Sequence, residues 1–185
     1  MDNGGEVIEK KINKIRRIIR YSVAVVASLL LIFVCIEAYN FYSLSPDKLF
    51  DEKYTAYYLT TPDDTTESRI EKAYKEKKYS EVINLNRNSV LSLKDVFLTG
   101  VSYLETVDLS RAISNFQVVI ADMKDDKNSA LKEAAEYYLA LAYLKNNDYD
   151  QAIELMNTIH DNSSHLYKAK FSRKYINKVK RLKWK

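Results

Sequence analysis

The order of apolar and polar residues in this chain follows the period of an α-helix. Beyond residue 61 it predicts three helical hairpins and a closing helix, at 62–77, 79–88, 91–106, 109–123, 128–146, 149–160 and 164–182. Only 2 prolines and 3 glycines interrupt the 185 residues, too few for a turn-rich β fold. We therefore predict an all-α protein.

Two parts of this pattern repeat. Gly100–Phe116 and Ala140–Met156 carry the same succession of residue types, and the second starts 40 residues after the first. In each, an apolar helix ends near a tyrosine, and a short polar turn leads to an aspartate, Asp108 or Asp148, that is expected to cap the next helix. A repeat of this size is typical of stacked units that bury their apolar faces against one another.

The repeated segments combine small and large residues as the packing of paired helices requires. Small residues stand where two helices approach closely, and bulky ones fill the space beside them. We expect the repeats to pack through Gly100, Tyr103, Ala112, Phe116, Ala140, Tyr143, Ala152 and Met156.

These segments resemble the tetratricopeptide repeat (TPR), a helix-turn-helix unit of about 34 residues. The match covers residues 91–160, and a weaker copy precedes it at 73–83. The chain lacks the early tryptophan and closing proline of the pattern, and residues 123–129 lengthen the step between units. The resemblance implies a short α-solenoid. The matching positions are Gly100, Tyr103, Ala112 and Phe116 in the first unit and Leu139, Ala140, Tyr143 and Ala152 in the second.

In TPR proteins the first helix of each unit lines a concave groove, so the resemblance implies a partner-binding face. An apolar groove beside a lysine suits an extended or helical peptide. Alanine at Phe97 and Tyr137 should then abolish partner capture without unfolding the helices. The same side chains also suit a core between repeats, or a face covered by the last helix of the chain. The residues of this face are Lys94, Phe97, Val101, Leu104, Tyr137, Leu141 and Leu144.

A long apolar run precedes the repeats. Tyr21–Tyr39 would form about 28 Å of helix, close to the roughly 30 Å hydrocarbon core of a bilayer. Basic residues precede the run, and Glu37 with aromatic residues follows, which predicts a cytoplasmic amino end. A cleaved signal peptide would have a shorter apolar core, and a lipoprotein would need a small residue before Cys35. We expect an uncleaved single-pass anchor in the inner (cytoplasmic) membrane, with the repeats outside the cytoplasm.

Two helix-start signals help to set the boundaries between segments. Ser45-Pro46 and Thr61-Pro62 each predict the first turn of a helix, with a hinge at Leu59–Thr61 between them. We divide the chain into a basic cytoplasmic segment at 1–20, a transmembrane anchor at 21–42, a juxtamembrane helix and linker at 43–61, TPR-like repeats at 62–162 and a basic C-terminal capping helix at 163–185.

The net charge of +4 hides an uneven distribution. Residues 168–185 hold 9 basic and no acidic side chains, and the part of the chain between this tail and residue 20 is net acidic. An apolar stripe from Phe171 to Leu182 predicts that the last helix caps the solenoid. A sharper hypothesis is that Val179–Lys185, with Trp184, also contacts anionic lipid or an acidic partner. Nucleic acid is not expected, because this tail lies outside the cytoplasm.

Residues with catalytic or metal-binding chemistry are scarce. Only His160 and His165 could act as bases near neutral pH, and together with Asp161 they lack the fourth ligand and the regular spacing of a zinc site. The sequence contains no nucleophile motif and no glycine-rich phosphate loop. We expect neither an enzyme nor a bound metal or cofactor.

The sequence favours a membrane-tethered TPR-like adaptor, a scaffold that binds a protein partner in the cell envelope or periplasm. In this it resembles membrane-anchored TPR proteins that Gram-negative bacteria export. A structural subunit of a larger membrane complex is one alternative, in which neighbours bury the repeat faces permanently. A cytosol-facing TPR targeting receptor, similar to mitochondrial import receptors, is another, although the basic residues before the apolar run oppose that orientation.

Overall fold

The structure, a computed structural model, describes residues 4–59, 67–86, 92–123 and 130–185. Over these ranges the chain contains α-helices, one short 3-10 helix and no strand, which confirms the all-α prediction. The chain separates into two compact units, Met1–Leu44 and Ser45–Lys185. Predicted features at 60–66, 87–91 and 124–129, including the Thr61-Pro62 start signal, lie outside the described residues.

The first unit consists of one helix, α1 (Gly4–Tyr42). Its part from Ile19 to Tyr42 is long and apolar enough to cross a membrane once. The hydroxyl of Ser28 donates a hydrogen bond to the carbonyl of Ala24 (2.8 Å), so this polar group has a partner within the apolar stretch. The predicted long apolar helix is therefore present.

The second unit contains eight α-helices in its described parts. From α3 onward each helix packs against the next along the chain, so that α3–α4, α5–α6 and α7–α8 form hairpins and the last helix packs on α8. The helices are α2 (Pro46–Lys53), α3 (Arg69–Lys75), α4 (Tyr79–Asn86), α5 (Leu93–Glu105), α6 (Leu109–Asp122), α7 (Ala130–Lys145), α8 (Tyr149–Asp161) and α9 (Arg173–Leu182), with the 3-10 helix at Lys168–Lys170.

The three hairpins share one turn geometry. In each turn one residue has a positive φ angle: Lys77 (56°), Val107 (63°) or Asn147 (65°). The N–H of the following residue donates to a carbonyl five positions back, which is the closing bond of a Schellman motif. The weaker copy at 73–83 thus has the same turn as the two clear copies. These bonds run from Lys78 to Ala73 (2.9 Å), from Asp108 to Tyr103 (2.8 Å) and from Asp148 to Tyr143 (2.9 Å).

The two predicted aspartate caps differ. The Asp108 carboxylate accepts a hydrogen bond from the Arg111 N–H (3.4 Å), as expected of a cap. Asp148 stands at the equivalent position, but its side chain makes no capping bond to α8. Its carboxylate instead accepts from the side-chain amide of Asn146 (2.6 Å), which takes the place of the backbone donor. The prediction of a second side-chain cap is therefore wrong.

The expected packing residues lie between the helices of the hairpins. A Cβ added at Gly100 would come within 2.9 Å of the Phe116 ring, so the close approach of α5 and α6 requires glycine there. Tyr143 is the one partly exposed member of the set, and its hydroxyl accepts from the Gln117 amide (2.9 Å). The buried members are Gly100, Tyr103, Ala112, Phe116, Ala140, Ala152 and Met156.

The predicted C-terminal helix at 164–182 is shorter in the structure. The His165 ring accepts a hydrogen bond from the Tyr167 N–H (3.1 Å), and the Glu133 carboxylate accepts from the Leu166 N–H (2.7 Å). These side chains compete with helix formation for the backbone donors. α9 consequently begins only at Arg173, with the Ser172 hydroxyl accepting from the Tyr175 N–H (3.3 Å) as its cap.

The juxtamembrane helix forms where Ser45-Pro46 predicts it. The Ser45 hydroxyl accepts from the Lys48 N–H (3.2 Å) and Pro46 occupies the first turn of α2. The boundary between the two units lies between Leu44 and Ser45, so residues 45–59 belong to the repeat unit. The stretch expected to link the anchor to the repeats is packed against them instead.

Candidate functional site

The face expected to bind a partner lies inside the second unit. Lys94 is partly exposed and forms an ion pair with Glu71 (2.6 Å). The other six residues, which we call the groove, are 0–2 % exposed, so the expected open face is not presented to solvent in this structure. The groove residues are Phe97, Val101, Leu104, Tyr137, Leu141 and Leu144.

The groove is covered in part by the stretch from Ser45 to Leu59, which we call the juxtamembrane segment. Its helix α2 packs against α7, where Leu49 and Phe50 become buried. Further along, the Tyr57 ring meets the Phe97 ring edge to face, with 4.7 Å between centroids. The Lys145 ammonium lies 4.3 Å from the centroid of the Phe50 ring, a favourable cation–π distance. The chain therefore occupies its own groove.

Tyrosine hydroxyls hold the main chain of the juxtamembrane segment. Four tyrosines on α3, α7 and α9 each donate a hydrogen bond to a backbone carbonyl of the segment. Three of the carbonyls lie at the last residue of α2 or in the non-helical stretch after it, where few helical N–H groups are available to them, and the Leu49 carbonyl lies within α2. The bonds run from Tyr175 to Leu49 (2.7 Å), from Tyr137 to Lys53, from Tyr138 to Thr55 (2.6 Å) and from Tyr74 to Tyr57 (3.1 Å).

Burial keeps these hydroxyls protonated. It raises the pKa of Tyr137 to about 12. Burial also raises the pKa of Tyr74, Tyr138 and Tyr175 above the ordinary value, since a phenolate would lose its hydration. All four groups remain donors at neutral pH. Because they contact main-chain atoms, they set the path of the bound segment without specifying its side chains.

The side chains of the segment are recognised through contacts between aromatic rings. Phe50 and Tyr54 stack with 4.9 Å between centroids, and Tyr54 meets the ring of Tyr138 at 6.1 Å. The Tyr54 hydroxyl donates to the Glu105 carboxylate at the end of α5. Burial, and next the hydrogen bond to Glu105, raises the pKa of Tyr54. The groove thus binds a short helix with adjacent apolar residues, followed by an extended stretch rich in tyrosine.

The C-terminal helix borders the segment on one side. Lys178 pairs with Glu52 (2.9 Å), and this hydrogen bond lowers the pKa of the Glu52 carboxyl. The Lys53 ammonium lies 4.9 Å from the centroid of the Tyr175 ring. Tyr137 is also covered from this side, because the Tyr167 ring stacks on it at 4.4 Å. The last part of the chain and the juxtamembrane segment therefore fill the groove together.

The two histidines differ in burial, since His160 on α8 is partly exposed and His165 is buried. His165 is buried, and its Nε2 lies 3.1 Å from the Glu136 carboxylate. Since its Nδ1 accepts from the Tyr167 N–H, the proton of the neutral ring is on Nε2. Asp161 pairs with Arg173 (2.5 Å). Among the residues that the structure describes, no three His, Cys, Asp or Glu side chains are grouped as metal ligands.

The role of the tyrosine hydroxyls was not predicted from the sequence. The chain has 15 tyrosines and only 6 phenylalanines. Since a buried tyrosine needs a hydrogen-bond partner and phenylalanine does not, this excess was a signal that polar contacts run through the core. The pattern alone does not indicate which carbonyls receive those bonds.

Comparisons of the chain with protein-family models, with curated protein sequences and with solved structures find no match.

Proposed function

We propose that this protein is a membrane-tethered, TPR-like adaptor whose Ser45–Lys185 unit binds a protein partner in the cell envelope. The observation that carries the proposal is the set of four tyrosine hydroxyls that donate to main-chain carbonyls of the juxtamembrane segment. Main-chain recognition combined with aromatic pockets is how grooves bind short peptide segments. The groove has the chemistry of a peptide site, and the chain's own segment is its resident ligand.

The repeated hairpins support a scaffold role. Three hairpins with the same turn give an array in which each helix packs on its neighbours, as in solenoid proteins that present surfaces to partners. In this proposal α1 is the single-pass anchor, with the basic residues before it in the cytoplasm. A protease added to intact spheroplasts should then digest the repeats. Digestion only after the inner membrane is ruptured would contradict this orientation.

In this proposal the partner supplies a segment of the same form as the juxtamembrane segment. It would begin with a short helix bearing two adjacent apolar residues and continue as an extended, aromatic stretch. A resident segment attached to its own groove has an effective concentration on the order of millimolar. The partner must therefore bind more tightly than the segment, or bind after the segment has been withdrawn. Exchange of the two segments is the proposed mechanism of capture.

The burial of the segment favours a second candidate function. Leu49 and Phe50 are 2 % and 5 % exposed, so their removal from the groove exposes apolar surface to water. A groove that never empties would suit a structural subunit of a larger membrane complex. In that case the outer faces of the repeats, and not the groove, would contact the neighbours.

A peptide-binding measurement separates the two candidates. The probe is a fluorescently labelled peptide of residues 45–59, added to the full chain in detergent and followed by anisotropy. The variant Leu49→Ala with Phe50→Ala loosens the resident segment, and it should bind the peptide at least about tenfold more tightly than the unchanged chain, because the competing segment is weakened. Adding Tyr138→Phe should weaken that binding, since one main-chain hydrogen bond is lost.

The structural-subunit candidate makes the opposite prediction. If the loosened variant keeps its helicity but does not bind the peptide, the groove is a fixed core and the exchange mechanism is wrong. The control variant Val118→Ala changes an exposed position on α6 and should bind the peptide no better than the unchanged chain.

A further inference from the structure

The last thirteen residues concentrate positive charge on one helix and its short tail. Between 173 and 185 the chain contains only basic charged residues. The isolated sequence would suit an amphipathic helix that inserts its apolar face into a membrane surface. The basic residues are Arg173, Lys174, Lys178, Lys180, Arg181, Lys183 and Lys185.

The structure excludes insertion of the apolar face of α9 while the unit is folded. Tyr175, Ile176, Val179 and Leu182 are 0–5 % exposed, because they pack into the repeat unit. Lys174 and Lys180 lie on the exposed side, and Trp184 at the end of the chain is 83 % exposed. What α9 offers to its surroundings is therefore a cationic surface bordered by one tryptophan.

Several basic residues of α9 and of the short tail after it already have acidic neighbours. Lys183 lies 2.6 Å from Asp150, and their side chains are 50 % and 72 % exposed. Arg173 and Asp161 form an equally exposed pair (2.5 Å). Ion pairs this exposed contribute little to stability and exchange readily for other anions. They do not prevent the helix from binding an anionic surface.

The helix that α9 contacts follows the apolar helix α1 closely along the chain. α9 contacts the juxtamembrane helix directly, through the bond from the Tyr175 hydroxyl to Leu49 (2.7 Å) and the pair between Lys178 and Glu52 (2.9 Å). Only residues 43–45 separate that helix from the end of the apolar helix α1. The four steps from Tyr42 to Pro46 reach about 14 Å at most. If α1 spans a bilayer, the start of α2 cannot move far from its surface.

We propose that the cationic surface of α9, with Trp184 beside it, binds the anionic phospholipid headgroups of the membrane in which α1 is anchored. This inference rests on the proposed anchoring and adds a second contact with the same bilayer. Anionic headgroups attract clustered lysine and arginine, and tryptophan favours the interface between headgroups and acyl chains. The contact would fix how the repeat unit is held at the membrane, and it leaves the groove unchanged.

Trp184 provides a direct reporter, because it is the only tryptophan of the chain. The full chain is reconstituted into vesicles of brominated phosphatidylcholine, with or without brominated phosphatidylglycerol, since bromine quenches tryptophan fluorescence at short range. Quenching should be at least about twofold stronger with the anionic lipid, and high salt should remove the difference, because salt screens charges. Equal quenching in both kinds of vesicle, or quenching that salt leaves unchanged, would overturn the proposal. That result would favour an acidic protein as the ligand of this surface.

Charge reversal identifies the residues responsible. Lys174→Glu with Lys180→Glu should abolish the extra quenching, while the matched reversal of Arg69 and Lys72 on α3, two exposed residues, should leave it intact. Persistence of the extra quenching in the α9 variant, or its loss in the α3 variant, would contradict the assignment. Flotation of the protein with the vesicles reports on the anchor separately. Protein that floats without anion-dependent quenching disproves only this inference, and protein that does not float disproves the anchoring as well.

Discussion

Tyrosine hydroxyls connect parts of the chain that are far apart in sequence. Tyr138 on α7 and Tyr175 on α9 donate to carbonyls 83 and 126 residues earlier. The Thr55 carbonyl, which accepts from Tyr138, lies in a non-helical stretch where the backbone leaves few other donors within reach. A phenylalanine would fill the same space but leave the carbonyl without its partner.

The substitution Tyr138→Phe isolates this effect. It removes the hydrogen bond to the Thr55 carbonyl and keeps the ring, so we expect a loss of about 1–2 kcal/mol in the free energy of unfolding. Urea denaturation followed by circular dichroism measures it. Tyr58→Phe is the control, since Tyr58 is 80 % exposed and should show no loss. Equal stability of the two variants would refute the role given to Tyr138.

The groove residue Phe97 tests whether the groove is interior or surface. Its side chain is 0 % exposed, so Phe97→Ala should cost about 3–5 kcal/mol and lower the thermal midpoint. This reverses the expectation from the sequence that alanine at Phe97 and Tyr137 leaves the helices folded. Val118→Ala, at a position 53 % exposed on α6, should change stability by less than about 0.5 kcal/mol. A Phe97→Ala protein as stable as that control would place Phe97 on a free surface.

Buried tyrosines should also make the unit sensitive to alkali. The folded-state pKa of Tyr137 is raised from 10.0 to about 12, and burial raises those of Tyr74, Tyr138 and Tyr175 as well. Because the Tyr137 hydroxyl ionises at lower pH in the unfolded chain, the contribution of this group to folding stability is complete below pH 10. That contribution is lost as the pH rises through about 12. The part of the tyrosinate absorbance that comes from these four residues should therefore appear at higher pH in the folded protein than in urea. Coincident titrations would show that these hydroxyls are accessible to water.

The helices and hairpin turns could be predicted from the sequence, whereas the stretch before α9 could not. The order of helices follows from apolar spacing, and the similarity of 73–83 to the later repeats is matched by the common positive φ at Lys77, Val107 and Asn147. The irregular stretch before α9 could not be predicted, because it depends on Glu133, which is 33 residues away from Leu166. Local patterns identify helices and turns, whereas such contacts appear only when distant elements meet.

Val107 is the least suitable of the three turn residues. A β-branched side chain disfavours the left-handed φ of 63°, and its 59 % exposure indicates few contacts to lose. Val107→Asn, which copies the residue at the equivalent position 147, should therefore stabilise the unit by about 1 kcal/mol. The reciprocal change Asn147→Val should destabilise it by a similar amount. Thermal denaturation measures both, and changes of the same sign would refute the argument.

The whole molecule combines an apolar helix with a repeat unit that includes the first residues after it. The sequence predicted both parts but placed a hinge at Leu59–Thr61. It left open whether the groove binds a partner, forms a core between repeats or is covered by the last helix. The structure fills the groove with the juxtamembrane segment, through contacts such as those of Tyr137 with Lys53 and Tyr57 with Phe97. Spacing along the chain does not indicate which apolar stretch will cover which face, because burial of either gains similar free energy.

Photo-cross-linking in living cells can detect the proposed exchange of segments in the groove. Benzoylphenylalanine at position 138 places the reactive group beside Tyr54 and Tyr57 of the resident segment. In the otherwise unchanged chain the main product should be internal, joined to residues 45–59. With Leu49→Ala and Phe50→Ala added, we expect a cross-link to a second protein, reduced by excess peptide of residues 45–59. Only internal products in both folded proteins would contradict it.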